Sequence, residues 1–227
     1  MVDRLAQKLW SLREELQPQL VSIKQAMDLS LQTDGLVIFA DGSDNPGGGA
    51  PCDGTVALQA LIEAKHAGAV VATLWDPEVV ELAWNAGVGA ELTVPLGGKV
   101  DNQHGDTLEV SAKVLRLSDG EFVFGGAMAQ GLSDSLGNTA LLEIEGVRVV
   151  VTSLRRQCID RNMLGTVGVE LDSISLLVLK SAVHFRADFG DFAEEILDAD
   201  TPGIHRPDFS CFEYKNSRSH RCYPFSD

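Results

Sequence analysis

The stretch that most constrains the fold is residues 36–55, where a short apolar run leads into a glycine-rich loop. The run Leu36–Ala40 has the length and composition of a buried strand. A polar turn and three consecutive glycines follow it, and an apolar helical pattern then covers Val56–Ala67. The order strand, loop, helix is typical of an open α/β sheet, in which ligands bind in loops at the carboxyl ends of the strands.

The residues of this loop are compatible with a ligand site or with a tight turn. Glycine tolerates a positive φ and lets the backbone approach a partner closely, and exposed N–H groups ahead of a helix can bind an anion. A structural turn that needs these backbone angles explains the same pattern equally well. The candidate ligand-binding residues of the loop are Asp44, Asn45, Gly47, Gly48 and Gly49.

The known nucleotide-binding motifs do not fit this loop. Thr55 stands where a phosphate-binding loop has lysine, and Cys52 stands where the dinucleotide fingerprint has glycine. Nucleotide binding is therefore not the first interpretation.

Composition and charge exclude several classes of protein. The chain has 227 residues, of which 44% are hydrophobic, and a net charge of −15. This allows one large domain or two small ones and disfavours binding to nucleic acid or to an anionic membrane. The amino terminus is charged rather than signal-like, the apolar runs are too short to span a bilayer, and the four cysteines form no C-x-x-C pair. These features predict a cytoplasmic protein with free thiols.

The first half of the chain predicts helices followed by alternating strands and helices. Residues 1–33 form a helical segment, in which Pro18 divides two helices and lies near the start of the second. After the glycine loop, Val70–Trp75 predicts a second buried strand, and Asp76 is placed to cap a helix over Glu78–Ala86. This βαβα order predicts a parallel sheet.

The second half begins with alternating patterns that predict antiparallel strands, either inserted into the sheet or extending it. These strand-like segments are Glu91–Leu96, Thr107–Leu117, Glu121–Phe124, Thr139–Ile144 and Val147–Ser153. A short helix over Asp160–Gly165, a buried strand over Ile174–Leu179, a helix over Ala182–Glu195 and a last strand over Ile196–Ala199 complete the pattern. The predicted fold is α/β, a parallel-containing sheet flanked by helices with an antiparallel β subdomain. We expect a domain over residues 34–203 and an extended tail over residues 204–227.

A second candidate group follows the strand that ends at Leu179. It consists of Lys180, Ser181, His184 and Arg186. If this strand and Leu36–Ala40 are parallel neighbours, the three basic side chains face the same crevice as the glycines and suit a carboxylate or phosphate ligand. The alternative is a helix capped by Ser181, with a surface arginine and a half-buried His184 bonded to Asp188.

Signals for a metal site or a nucleophile are weak. The chain has no H-E-x-x-H, G-x-S-x-G or S-x-x-K motif. Asp101, His104 and Asp106 share a polar loop that could hold a cation, but a solvated connection explains them better. We therefore expect no metal or other cofactor in this chain.

Several motifs taken together resemble the carboxy-terminal domain of the MlrC (microcystinase C-like) family. They are DNPGGGAPCDGT, TLWDPEVV, LGGK, VVVTSLRRQ and KSAVHFRADFG, in this order, and the ending Arg221–Pro224 is also similar. The resemblance runs from about Leu36 to Gly203 and departs from the family at Cys52, where glycine is usual.

The resemblance implies a zinc metallopeptidase family whose namesake cleaves linear peptides from the breakdown of a cyanobacterial toxin. The family's zinc-binding aspartates and histidines belong to an amino-terminal domain that this sequence does not contain. It thus implies the substrate-facing or structural half of such an enzyme, inactive by itself. Its partner would be the missing catalytic domain or a separate subunit, and its basic groups would bind a peptide carboxylate or hold the domain interface.

Two other interpretations stay open from the residues alone. The chain could be a stand-alone, non-catalytic module that binds a small anionic metabolite or a protein partner. It could also be the scaffold of a homo-oligomer assembled through residues 1–32.

Overall fold

The apolar strands assemble into one mixed sheet in the computed structural model, which describes residues 1–216. The strands of this sheet are β1 (Leu20–Val21), β2 (Leu36–Ala40), β3 (Ala69–Trp75), β4 (Glu91–Leu96), β5 (Leu108–Ser118), β8 (Thr139–Ile144), β9 (Val147–Thr152), β10 (Leu176–Leu179) and β11 (Ala193–Ala199). Two short strands, β6 (Glu121–Val123) and β7 (Ser133–Ser135), form a separate antiparallel pair. The helices are α1 (Val2–Ser11), α2 (Ile23–Ser30), α3 (Val56–Glu63), α4 (Pro77–Ala86), α5 (Arg161–Gly165) and α6 (Arg186–Phe189).

The strand order in the large sheet is β1-β11-β2-β10-β3-β9-β8-β5-β4. The strands from β1 to β9 in this order are parallel, and β8, β5 and β4 add to them in antiparallel fashion. The antiparallel strands therefore extend the parallel sheet. The predicted α/β class, with a parallel-containing sheet, flanking helices and antiparallel strands, is confirmed.

Each face of the sheet is covered, which explains why the central strands are apolar along their whole length. In β10, Leu176 and Val178 pack into one core, which includes residues of α2, α3 and α4. Leu177 and Leu179 point into the other core, which contains residues of α5 and α6. The described chain divides into two compact units, of which one is residues 20–205 and the other is residues 1–19 with residues 206–216.

One local prediction near the amino terminus needs adjustment. The second helix begins at Ile23 rather than near Pro18, because β1 comes between them. Its start is set by Ser22, whose hydroxyl accepts from the Gln25 N–H at 3.3 Å while the Ser22 N–H donates to Gln25 Oε1 at 3.0 Å. This reciprocal capping box satisfies backbone groups that a helix end leaves without partners.

The predicted helix over Ala182–Glu195 is wrong. The chain forms only the four-residue α6, and β11 begins at Ala193. From Glu195 to Asp198 the strand pairs in parallel register with β2. The hydrogen bonds of this pairing fix the segment as a strand, and local helix propensity is too weak to override such a tertiary context.

No helix among residues 1–216 is long and apolar enough to cross a membrane. The carboxy-terminal residues from 217 onward, which include Cys222 and the ending Arg221–Pro224, lie outside the described residues.

Replacing Leu177 by alanine should lower the free energy of unfolding by about 2–5 kcal/mol, because the side chain is fully buried at the centre of the sheet. The matched control is Leu31→Ala at a position that is 74% exposed, where the loss should stay within about 0.5 kcal/mol. Urea denaturation followed by circular dichroism measures both. Equal losses would contradict the assignment of β10 to the sheet interior.

Candidate functional site

The two loops identified in the sequence lie at the same edge of the sheet. Strands β2 and β10 are parallel neighbours, with Phe39 opposite Val178, so the loops that follow them leave from the same end. Gln157 links the two loops. Its Nε2 donates to Ser181 Oγ at 2.9 Å, its Oε1 lies 3.4 Å from His184 Nδ1, and a Cβ added to Gly47 would collide with Oε1.

The glycine loop is shaped by close contacts with side chains from other segments. Gln157 approaches Gly47, and the ring of His205 lies where a Cβ on Gly48 would stand. His205 is held there because its Nδ1–H donates to the Gly42 carbonyl at 2.8 Å. Gly49 has a φ of +96°, which closes the turn. A side chain at Gly47 or Gly48 would force Gln157 or His205 to move, and a side chain at Gly49 would be strained by the positive φ. All three glycines are exposed to solvent.

The two polar residues ahead of the glycines differ in role. Asn45 accepts a hydrogen bond from the Gly47 N–H at 2.9 Å and so caps the turn. Asp44 is buried, and its two oxygens accept from the backbone N–H groups of Cys52 and Gly54, both at 2.7 Å. Asp44 therefore folds the loop back on itself.

The expectation that Lys180 faces the crevice with its positive charge is wrong, because the side chain is buried. It is 1% exposed, and its Nζ lies 2.8 Å from Asp44 Oδ2 and 3.2 Å from Asp41 Oδ2. It also donates to the Gly54 carbonyl at 2.8 Å. Burial opposes the charged form, but the two carboxylates outweigh it and raise the Lys180 pKa above its usual value. The ammonium is therefore a buried connection between β10 and the glycine loop.

The other residues of the second group also have different partners from those expected. Ser181 does not cap a helix, because its buried hydroxyl accepts from Gln157. Arg186 donates to Asp198 Oδ1 at 2.9 Å, so its charge is largely balanced. Asp188 accepts from Arg161 rather than from His184. His184 remains exposed at the mouth of the site.

The polar loop with His104 packs against the same region but does not resemble a metal site. His104 is buried, its Nδ1 lies 2.8 Å from Asp101 Oδ1, and its Nε2 accepts from the Ile204 N–H at 3.2 Å. Both ring nitrogens are therefore engaged within the protein. No group of three or more metal-ligating side chains occurs among residues 1–216. The donor set of the described residues therefore does not fit a zinc ion.

Cys52 adds a buried thiol beneath the loop. It has a φ of +66°, and its Sγ donates to the Thr73 carbonyl at 3.1 Å. Burial, together with the nearby charge of Asp44, raises the Cys52 pKa to about 12. At neutral pH this thiol is protonated, so it is neither a nucleophile nor a thiolate ligand.

The surface that remains accessible is polar and carries little net charge. It combines the exposed residues Gly47–Gly49 with the half-buried side chains of Gln157 and His205 and the exposed side chain of His184. The N–H groups of the three glycines already donate to Asn45 and Pro46, so the amide and imidazole side chains are the groups that can donate or accept further hydrogen bonds. Sequence patterns did not reveal Gln157 and His205, because each lies more than 100 residues from the glycines.

The comparisons with known proteins agree with the fold. A family model described as the MlrC C-terminus matches residues 39–216. Microcystinase C from Sphingomonas sp. is 29% identical over 189 residues, which are 83% of this chain and 36% of that protein. A crystal structure from Mesorhizobium sp. BNC1, of a protein provisionally assigned as a metallopeptidase, has a TM-score of 0.84 and 28% identity. The match covers 99% of this chain and 44% of that one, so the chain spans less than half the length of either relative.

Replacing Lys180 by methionine should destabilise the protein by about 3–5 kcal/mol, because two buried carboxylates lose their counter-ion. The control Lys24→Met removes an exposed lysine and should change the free energy of unfolding by less than about 0.5 kcal/mol. Adding Asp41→Asn to Lys180→Met should recover part of the loss, because it removes one of the two buried charges left without a counter-ion. A Lys180→Met protein as stable as the control would contradict the buried network.

Cys52 and Cys158 should resist modification in the folded protein, because both are fully buried and burial raises both pKa values. In a Cys222→Ser background, Ellman's reagent at pH 8 should label only the exposed Cys211 rapidly. The other two thiols should react only after denaturation. Rapid labelling of a second thiol under native conditions would contradict this arrangement.

Proposed function

The chain belongs to the MlrC C-terminal family, and from this premise we propose that it is the substrate-facing domain of a zinc-dependent, MlrC-type peptidase. In this proposal the metal and the hydrolytic residues belong to an amino-terminal catalytic domain or a separate subunit. The present chain contributes one wall of the cleft and is inactive alone. The length of the relatives supports the proposal, because both extend well beyond the matched region.

The observation that carries the proposal is the meeting of two loops at the carboxyl edge of β2 and β10. Gln157 contacts Gly47 on one side and hydrogen-bonds Ser181 on the other. His184 stands beside this junction and is exposed. In open α/β sheets, this edge is where ligands bind.

The charge distribution favours a peptide over a small anion as the ligand. Lys180 is neutralised by Asp41 and Asp44, and Arg186 is paired with Asp198. The N–H groups of Gly47–Gly49 already donate to Asn45 and Pro46. The groups left for a ligand are therefore the side-chain amide of Gln157 and the imidazoles of His184 and His205, which can match donors and acceptors of a peptide backbone. Binding of a small anion would need an unpaired positive side chain at the loop. Lys180 and Arg186 do not supply one, because each is paired with aspartate.

The test is titration of the ¹⁵N-labelled chain with N-acetyl-tetraalanine, in its free-acid and its amidated form. Both peptides should shift the amide resonances of Gly47, Gly48, Gly49 and His184. His184→Ala should weaken binding about three- to tenfold, which matches the loss of one hydrogen bond. The control Glu170→Ala changes an exposed residue of the segment that leads to β10 and should leave the affinity unchanged.

Three results would contradict the proposal. One is the absence of shifts at these amides with either peptide, and another is a His184→Ala protein that binds as well as the control. The third is a response of the same amides to inorganic phosphate or citrate but to neither peptide, which would favour the stand-alone module for an anionic metabolite.

A further inference from the structure

A second pocket lies at the carboxyl end of β3, and its walls come from three separate segments. Trp75, Asp76, Pro77 and Glu78 lead from the strand into α4, Asp53 comes from the glycine loop, and Lys99 and Val100 come from the connection between β4 and β5. Its volume of about 170 Å³ is several times the roughly 30 Å³ that one water molecule occupies. The pocket can therefore hold a small organic group.

Asp53 is the feature of this pocket that points to a ligand. The residue is 2% exposed, and its Oδ2 accepts from the N–H groups of Lys99 and Val100 at 2.8 and 3.0 Å. Its Oδ1 is buried and has no hydrogen-bond partner within the described part of the chain, residues 1–216. Buried polar atoms in native proteins are almost always satisfied, so an unsatisfied carboxylate oxygen in a pocket wall indicates a missing donor.

The neighbouring carboxylates are already satisfied, which makes Asp53 distinct. Asp76 Oδ1 accepts from Val79 N and from Lys99 Nζ, and Asp76 Oδ2 accepts from Gly97 N. Lys99 Nζ also lies 2.9 Å from Glu78 Oε2. Burial opposes the charge on Lys99, but Glu78 and Asp76 outweigh it and raise the Lys99 pKa, so the ammonium stays charged. The pocket wall thus holds three carboxylates and one ammonium group and is net negative.

From the unpartnered Asp53 oxygen, the negative wall and the adjoining apolar side chains, we propose that this pocket binds a protonated primary amine on a short alkyl chain. The alkyl chain would pack against Trp75, Pro77 and Val100, and the ammonium would donate to Asp53 Oδ1. The indole of Trp75 already attracts a cation, since the Arg155 guanidinium carbon lies 4.1 Å from its ring centroid.

The donor set fits an ammonium group better than a divalent metal ion. Calcium takes six to eight oxygen ligands and magnesium takes six, whereas the oxygens of Asp76 are already used by two backbone N–H groups and Lys99. An ammonium group carries three donors on one small centre and can be satisfied by few acceptors. This inference stands on the pocket alone and does not depend on the function proposed for the glycine loop.

The experiment titrates the ¹⁵N-labelled chain with n-butylammonium chloride, N-acetyl-lysine methylamide and, as the neutral counterpart, n-butanol. The reporters are the amide resonances of Lys99 and Val100, which donate to Asp53 and are separate from the amides that report on the glycine loop. Both ammonium probes should shift these resonances saturably, and butanol should bind at least tenfold more weakly. Tighter binding of butylammonium would identify a free amine as the source of the ligand, and tighter binding of the lysine derivative would identify a peptide side chain.

Two variants with opposite expected effects keep the test decisive. Asp53→Asn should weaken butylammonium binding at least tenfold, since it removes the charge while keeping the shape. Lys99→Met should strengthen binding severalfold, because it removes the ammonium that competes for Asp76 and Glu78. The control Glu109→Gln removes one exposed charge from β5 and should change the affinity less than twofold.

The proposal is overturned if butanol binds as well as butylammonium, or if the folded Asp53→Asn protein binds as well as the unaltered one. If Asp53→Asn does not fold, the Lys99→Met variant provides the test. A Lys99→Met protein whose affinity for butylammonium is equal to or lower than that of the unaltered protein overturns the proposal. Calcium that shifts the same resonances at lower concentration than either amine would also overturn it, by identifying a metal site.

Discussion

The buried ion network around Lys180 is the interaction on which the candidate site depends. Its ammonium, at the end of β10, contacts Asp41 at the end of β2 and Asp44 within the glycine loop. Asp41 also accepts from the Thr201 hydroxyl, which follows β11. One cation thereby ties together the ends of three adjacent parallel strands. Since each buried carboxylate would be costly without this partner, the network fixes where the loop begins and how it folds.

The same network limits the charge that the candidate site can present. A crevice with free lysine and arginine side chains would attract anions, but here these charges are neutralised by aspartates within the domain. The accessible part is left with Gly47–Gly49, the half-buried side chains of Gln157 and His205, and the exposed side chain of His184. It is a polar surface in which the side chains, rather than free charges, can form hydrogen bonds.

Much of the fold could be predicted from the sequence, because buried strands leave a clear local pattern. Leu36–Ala40 is found as a strand with the predicted bounds, and the apolar run before Lys180 is the strand β10. The predictions fail where contacts with residues distant in the sequence determine the local structure. The segment Ala182–Glu195 has helical composition, but the helix covers only Arg186–Phe189, and β11, which pairs with β2, already begins at Ala193. The last strand, predicted over Ile196–Ala199, is the carboxyl part of β11. The role of Lys180 depends on Asp41 and Asp44, which lie more than 130 residues away in the sequence. A local sequence pattern could not predict that the fold brings these three residues into contact.

Asp44 also contacts the backbone at Cys52, which has a positive φ. The φ of Cys52, +66°, lies in the left-handed region that favours glycine. Asp44 contacts this residue through the backbone, because the Cys52 N–H donates to Asp44 Oδ1. Every residue except proline can supply this N–H group, but the positive φ makes any side chain here less favourable than glycine. Cys52 occupies this left-handed position, and its Sγ donates to the Thr73 carbonyl, so the side chain ties the underside of the loop to β3.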